Sequence, residues 1–246
     1  AQTLGATRRL SAMTQSHPRR ILLAATGLFP QIVTETLYAL AVQPGAAGQA
    51  FLPTEIHLIT TAEGARLART ALLHPDGGQF HALLANYPQL GHPVFDDAHI
   101  HQIHNAQGQP LPDIRTPEEN ACAADAITTL MAQLTHDPQA ALHVSIAGGR
   151  KTMGFYLGYA FSLFARPQDE LSHVLVSSPF ESHPEFFFPP PPPGGWPRAT
   201  ANTSTLQMPP SPWPASPSCG CATASPRHCW TGTPASTKPL PPSKKA

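Results

Sequence analysis

Short apolar runs alternate with longer amphipathic segments between residues 20 and 178, and this alternation constrains the fold most strongly. The four runs with strand character are RILLAATG (20–27), TEIHLITT (54–61), ALHVSIAGG (141–149) and LSHVLVSS (171–178). Near-continuous apolar runs of this length are typical of strands buried on both faces. A further segment, FDDAHIHQIHN (95–105), is also expected to be extended.

The segments between these runs carry apolar residues at helical spacing. They are PQIVTETLYAL (30–40), AEGARLARTALL (62–73), TPEENACAADAITTLMAQLTH (116–136) and KTMGFYLGYAFSLFA (151–165). In the third, Thr116 can cap the helix and Pro117 suits its first position. Glu118 and Glu119 favour the positive end of the helix dipole. The alternation predicts an α/β fold: a Rossmann-like, mostly parallel sheet with helices on both faces.

The pattern ends at a run of prolines. Residues 189–246 hold about half of the 30 prolines and show neither strand nor helix periodicity. We therefore expect a disordered, low-complexity tail. The predicted organisation is a flexible leader (1–17), a Rossmann-like domain (18–188) and a Pro-rich tail (189–246).

The abrupt change at the proline run has a second interpretation. A long proline run requires a cytosine-rich gene segment, and permissive codon choice allows the tail to be re-read in another frame as apolar, strand-like and helix-like sequence. A frameshift origin of residues 189–246 therefore stands as a hypothesis. Near the other end, Met13 suggests an alternative start residue.

The overall charge excludes some classes of function. The chain has 15 lysines and arginines against 15 aspartates and glutamates, so no overall positive field favours stable binding of long nucleic acid. No apolar run approaches the roughly 20 residues that cross a bilayer, and we expect a cytoplasmic protein without membrane association. Anion recognition must therefore be local.

Two strand-to-helix turns have the composition of an anion site: ATGLFPQ (25–31) and SIAGGRKTM (145–153). In open α/β sheets, ligands bind beyond the carboxyl ends of the strands, near the point where the strand order reverses. Glycines let a backbone approach a phosphate, and the first amides of a helix are free donors. Arg150 and Lys151 add positive charge. The residue types alone are equally compatible with a tight turn and two solvated cations, since neither common glycine-rich nucleotide fingerprint is present.

The blocks ATGLFPQIVTETLYAL, HLITTAEGA, SIAGGRKTMGFYLGYAFSLFARPQDELSHVLV and FFFP, in this order across residues 18–190, resemble the CRISPR-associated Rossmann-fold (CARF) proteins. The nearest group is the CRISPR-associated ring nucleases. The resemblance implies a homodimer whose two CARF domains share a pocket for a cyclic oligoadenylate, the second messenger of type III CRISPR immunity. The implied ligand-binding residues are Thr26, Gly27, Ser145, Gly148, Gly149, Arg150, Lys151 and Thr152.

The implied reaction is attack of a ribose 2′-OH on its neighbouring phosphate, which opens the ring and leaves a 2′,3′-cyclic phosphate. Because the substrate carries its own nucleophile, the protein has mainly to orient the attack and stabilise charge. The resemblance gives this catalytic role to Lys151, one from each subunit, with Arg150 in support, and requires neither metal nor cofactor. Cyclic tetraadenylate is the expected ring, and its cleavage would switch off antiviral signalling.

Two alternative functions use the same residues differently. The first is a sensor that binds the cyclic oligoadenylate without cleaving it and regulates a separate effector. The second is an unrelated nucleotide-binding domain whose proline tail binds partners that recognise polyproline II segments.

Three further groups of reactive residues are assigned structural roles. RTALLH (69–74) has the Arg-x₄-His spacing of a ribonuclease motif, but it lies in a predicted core helix. HIHQIH (99–104) could place two imidazoles on one strand face, as a metal site requires. Chance clustering is favoured among 13 histidines. Asp96 and Asp97 could supply a general acid or base, and they fit a strand-entry turn equally well. The Cys/His segment CGCATASPRHC (219–229) lacks the paired spacing of a zinc knuckle.

Overall fold

The computed structural model describes residues 17–43, 50–177, 180 and 183–191, and the backbone of 201–206. These residues belong to one compact unit, Ala1–Met208. None of the helices in the described ranges is long and apolar enough to cross a membrane.

Within these ranges, six strands form a single sheet. They are β1 (Arg19–Thr26), β2 (Glu55–Thr60), β3 (Ile100–Gln102), β4 (Ala140–Ser145), β5 (Glu170–Val176) and β6 (Ala201–Leu206). The order is β3-β2-β1-β4-β5-β6, with the first five strands parallel and β6 antiparallel to β5. The accompanying helices are α1 (Gln31–Ala41), α2 (Ala62–Leu72), α3 (Gln79–Asn86), α4 (Pro117–Thr135) and α5 (Lys151–Phe164).

The central strand β1 is buried on both faces. Ile21, Leu23 and Ala25 pack into a core with α4 and α5, whereas Leu22 and Ala24 pack into a second core with α1, α2 and α3. Alternate side chains of a strand point to opposite faces, so one continuous apolar run supplies both cores. The predicted Rossmann-like α/β fold with helices on both faces is confirmed.

The fourth strand is shorter than its apolar run suggests. The prediction extended it to Gly149, but β4 ends at Ser145. Gly149 lies four residues beyond the strand end and has a φ of +82°, a left-handed conformation with which the chain turns into α5.

Helix α3 lies in a segment between the predicted helix 62–73 and the extended segment 95–105, for which the sequence predicts no regular element. Its eight residues bury Phe80 and Leu83, and both side chains belong to the core formed with α1 and α2. A helix this short has too few turns to show a clear periodicity, so its tertiary packing decides its conformation.

Strand β6 corrects the prediction of a tail without regular structure. It pairs with β5 from Leu171↔Leu206 to Val176↔Ala201. A strand can add to an open sheet edge through main-chain hydrogen bonds, which composition does not reveal. The leader up to residue 16 and most of the proline tail lie outside the described residues, so the three-part division and the frameshift hypothesis stay predictions.

The burial of Glu35 in α1 makes the free energy of unfolding depend on pH. Burial raises the pKa of its carboxyl from 4.5 to about 7. Below pH 4.5 this carboxyl is protonated in the folded and unfolded states alike, and between 4.5 and about 7 only the unfolded state ionises readily. The free energy of unfolding therefore falls as pH rises through this window, by about 3 kcal/mol in total.

We expect Glu35→Gln to be more stable than the wild type by about 3 kcal/mol at about pH 8, and equally stable near pH 4. Urea unfolding over a pH series measures this difference. Glu63→Gln is the control, because the pKa of Glu63 is lowered by its hydrogen bond to Arg66, and its loss should not stabilise the protein at high pH. Superimposable pH curves for the wild type and Glu35→Gln would contradict the assignment.

Candidate functional site

The strand order reverses between β1 and β4, which are adjacent and parallel. From β1 the chain proceeds outward to β2 and β3, whereas β4 leads outward on the other side to β5. The turns that follow β1 and β4 therefore meet at the carboxyl edge of the sheet. A Cβ atom built on Gly27 would lie 3.9 Å from the Cα of Gly149. The two predicted anion turns are thus in contact, at the position where open α/β sheets bind ligands.

A cavity of about 850 Å³ opens at this point. One wall is the turn after β1, a second is the start of α5 with its preceding turn, and a third is the connection that leads into α4. Its lining residues are Gly27, Leu28, Phe29, Thr61, Asp113, Ile114, Arg115, Thr116, Pro117, Asn120, Gly149, Arg150, Lys151, Thr152 and Met153.

Five of the eight predicted ligand-binding residues line this cavity: Gly27, Gly149, Arg150, Lys151 and Thr152. Thr26, Ser145 and Gly148 lie behind it. The buried Thr26 hydroxyl donates to the Phe29 carbonyl oxygen at 2.7 Å and shapes the first turn. The Ser145 hydroxyl, also buried, lies 3.3 Å from that of Thr36. These residues therefore support the two turns, and ligand contact by any of the eight stays a prediction.

Gly148 has a steric role. A Cβ atom at this position would come within 2.4 Å of the Ala25 carbonyl oxygen and 2.9 Å of Ile32 Cγ2. Such a close backbone approach excludes any side chain. Gly148 thus lets the turn after β4 pack on the end of β1.

Arg150 forms a two-pronged ion pair with Asp113. Its Nε donates to Asp113 Oδ1 at 2.8 Å, and its NH2 group donates to Oδ2. Arg115 Nε also donates to Asp113 Oδ2, at 2.9 Å. These guanidinium groups hold the pKa of the Asp113 carboxyl far below its usual range, with the Arg150 hydrogen bonds as the main cause. Asp113 is therefore an ionised group that orients Arg150, and it is too weak a base to accept a proton at neutral pH.

The backbone amides at the amino terminus of α5 have fewer side-chain hydrogen-bond partners than those of α4. Helix α4 begins with a capping box, in which Thr116 caps the Glu119 amide and Glu119 accepts from the Thr116 amide. Helix α5 has no side-chain cap and no acidic residue in its first turn. In the described part of the chain, Lys151 at its first position forms no ion pair with a carboxylate. The uncapped amides and the helix dipole thus favour an anion at this helix start, where Lys151 lies; anion binding there stays a prediction.

The third wall of the cavity was not predicted from the sequence. Asp113 and Arg115 come from the connection between β3 and α4, and Asn120 comes from the first turn of α4. Asn120 Nδ2 donates to the Tyr156 hydroxyl at 2.5 Å and ties α4 to α5. Its Oδ1 is buried and has no hydrogen-bond partner among the described residues. The position of DIRTPEEN (113–120) could have indicated this wall. The segment lies between an extended segment and a helix start, and therefore at the same carboxyl edge of the sheet.

The other reactive groups lie away from this cavity. Arg69 of RTALLH pairs with Asp97, and Arg69 and His74 border a separate depression of about 480 Å³. The Asp96 side chain accepts from the Ala98 amide, as predicted for a strand-entry turn. The Cys/His segment 219–229 lies outside the described residues.

Comparison with known proteins identifies the family. A family model described as CRISPR-associated protein NE0113 matches residues 29–198, more than half of the chain. The chain belongs to this CRISPR-associated family. The predicted resemblance to CRISPR-associated Rossmann-fold proteins is thereby confirmed at the level of the family. A comparison with curated protein sequences gives no match.

Solved structures that match this chain include Enterococcus italicus Csm6 bound to cyclic hexa-2′-fluoro-hexa-dAMP. The match has 12% sequence identity and a TM-score of 0.37, and it covers 68% of this chain and 35% of that one. The chain thus spans about a third of the length of this Csm6 structure.

The two glycines at the cavity turns allow a matched test of the site architecture. We expect Gly148→Ala to lower the free energy of unfolding by about 2 kcal/mol or more, because its Cβ would overlap backbone. Gly27→Ala should change it by less than about 1 kcal/mol, because its Cβ would make only an ordinary contact. Urea unfolding followed by circular dichroism measures both. Equal effects of the two substitutions would show that the turns are not packed as described.

Proposed function

We propose that this protein binds a cyclic oligoadenylate in the cavity between the turns after β1 and β4, and that its homodimer cleaves this ligand without a metal ion. The observation that carries the proposal is Lys151 at the uncapped amino terminus of α5, beside Arg150, at the strand-order reversal of a CRISPR-associated family member. Cleavage would end the second-messenger signal of a type III CRISPR response, and this role would place the protein in the cytoplasm.

The charges of the cavity support a ligand with several phosphates. Arg115, Arg150 and Lys151 line it, and Asp113 is the only carboxylate among the lining residues. The local excess of positive charge contrasts with the zero net charge of the whole chain. A localised field of this kind favours a small polyanion over a long nucleic acid.

The surface of α5 supports the homodimer. Phe155, Tyr159 and Leu163 follow each other at four-residue spacing and are 66%, 56% and 58% exposed. Exposed apolar stripes of this kind are typical of protein interfaces. Since α5 begins at Lys151, a two-fold axis beside this stripe and roughly parallel to α5 would bring the two Lys151 residues toward one shared ligand. Leu28 and Phe29 at the cavity rim would be covered as well.

The proposed reaction needs orientation and charge stabilisation. The ribose 2′-oxygen attacks phosphorus and loses its proton, while the bond to the 5′-oxygen breaks and that oxygen gains a proton. Lys151 and the first amides of α5 would stabilise the negative charge on the phosphoryl oxygens as it grows. Arg150 would hold an adjacent phosphate in the direction that Asp113 imposes on its guanidinium group.

One observation favours the sensor as a second candidate. The cavity lining contains no histidine, and its carboxylate, Asp113, is held in the ionised form. A cavity that offers neither an imidazole nor a carboxyl group able to take up a proton is better suited to binding than to proton transfer. A sensor would bind the ring with the same residues and pass the signal to a separate effector.

Cleavage of labelled cyclic tetraadenylate in EDTA separates these possibilities. We expect the wild-type chain to yield linear product with a 2′,3′-cyclic phosphate. The rate of cleavage by Lys151→Ala should be lower by a factor of about 100 or more. Arg66→Ala is the control, because Arg66 is an exposed cation on α2 that pairs with Glu63. Product analysis by chromatography and affinity by calorimetry measure the two steps.

The outcomes of this experiment are distinct. Tight binding that Lys151→Ala weakens, without turnover, would replace the enzyme by the sensor. Absence of binding to both cyclic tetraadenylate and cyclic hexaadenylate would overturn the proposed ligand. Equal losses of cleavage rate and affinity in Lys151→Ala and Arg66→Ala would show that overall positive charge, and not the position of Lys151 at the helix start, determines activity.

A separate experiment tests whether the apolar surface of α5 forms the dimer interface. We expect Tyr159→Glu to shift the protein from dimer to monomer in analytical ultracentrifugation, because a charge would be buried in an apolar interface. Val94→Glu is the matched control, since Val94 is 50% exposed and lies away from α5. A dimer that survives Tyr159→Glu would show that the interface lies elsewhere.

A further inference from the structure

A second cluster of titratable side chains lies away from the cavity. Glu55 and His57 belong to β2, and His99 directly precedes β3. One ligand atom from each of these three residues lies within 4.8 Å of the other two. Glu55 is the first residue of β2, at its amino end, whereas the cavity lies at the carboxyl ends of the strands. The cluster is therefore a separate feature that cyclic oligoadenylate binding does not use.

We propose that Glu55, His57 and His99 form a binding site for a zinc-class divalent metal ion. Two imidazoles and one carboxylate are an established zinc ligand set, which leaves a fourth position for water. Glu55 Oε2 and His57 Nε2 lie 3.7 Å apart. Two ligands at about 2.1 Å from one tetrahedral ion would be about 3.4 Å apart, so a small adjustment brings both atoms into coordination distance.

His57 provides the strongest support for this site. Its side chain is buried, at 8% exposure of the residue, and its Nε2 has no hydrogen-bond partner among the described residues. Its Nδ1 lies 2.8 Å from His101 Nε2. When His57 donates the Nδ1 proton to His101, its Nε2 carries a free lone pair. A buried nitrogen without a partner is costly, and a metal ion would satisfy it.

The other two ligands are oriented in the same way. His99 Nδ1 forms a hydrogen bond with Asp96 Oδ1 at 2.7 Å, which leaves His99 Nε2 for the ion. This is the carboxylate–histidine–metal arrangement that fixes the ring orientation in many zinc sites. Glu55 Oε1 accepts from Arg19 Nε, so Oε2 is the oxygen that faces His57. The positive charge of Arg19 opposes a cation, and we expect moderate affinity.

A metal ion at this position would stabilise the edge of the sheet. Strand β3 has three residues and pairs with β2 only from Leu58↔Ile100 to Thr60↔Gln102. The ion would join β2 to the turn before β3 and so supplement a short ladder. The histidines that the sequence analysis assigned to chance clustering thus divide: His99 is a ligand, His101 supports His57, and the exposed His104 takes no part.

Metal titration of the full chain, purified without a polyhistidine tag and stripped with EDTA, tests the site. We expect one cobalt ion to bind per chain with the intense visible absorption of a four-coordinate site, zinc to displace it, and zinc to raise Tm. Asp96→Asn should weaken binding by about 10- to 100-fold, as loss of such a supporting carboxylate does elsewhere. His99→Gln and Glu55→Gln should weaken it further.

Matched controls come from neighbouring residues. Asp97→Asn and His104→Gln should each retain the wild-type affinity within about twofold, because neither contacts the cluster. Circular dichroism confirms that each variant is folded, and the exposed Asp96→Asn keeps the test valid if a buried substitution prevents folding. The proposal is overturned if the wild-type chain shows no saturable cobalt band, or if the control pair loses as much affinity as Asp96→Asn and His99→Gln.

Discussion

The site depends on the close packing of two glycine turns at the carboxyl ends of β1 and β4. The parallel register from Arg19↔Ala140 to Ala24↔Ser145 brings both strands to an end near the same edge of the sheet. Gly148 then lies against the Ala25 carbonyl, and Gly27 faces Gly149. Because no side chain separates the turns, the amides at the start of α5 face a cavity instead of a filled core. The positions of Arg150 and Lys151 follow from this backbone contact.

Opposite charges at the cavity have separate functions in this arrangement. Asp113 neutralises part of the field of Arg150 and Arg115 and also fixes the direction of the Arg150 guanidinium group. Lys151 has no such counter-charge among the described residues. One cation is therefore held in place by an ion pair, whereas the other has no carboxylate partner that an anionic ligand would have to displace. Preorganisation of this kind reduces the reorganisation that binding and catalysis require.

Much of this architecture could be predicted from the sequence, because burial on two faces requires apolar runs and helices require periodic ones. The same patterns predict the turns at Gly27 and Gly149. The role of Asp113 could not be predicted, because its pairing with Arg150 joins residues 37 positions apart through a connection without periodicity. His57 and His99 come together only through the register of β2 and β3, which no local pattern encodes.

Strand β6 has a consequence for the solubility of the chain. As the outermost parallel strand, β5 would present a row of unpaired amide and carbonyl groups along one side, a template on which other extended chains can align. The antiparallel pairing from Leu171↔Leu206 to Val176↔Ala201 occupies that row. The open edge of the sheet thus moves from β5 to β6, whose sequence ANTSTL is more polar than the ELSHVLV of β5. Loss of residues 201–206 would return the edge to the more apolar strand and favour self-association, rather than merely shorten the protein.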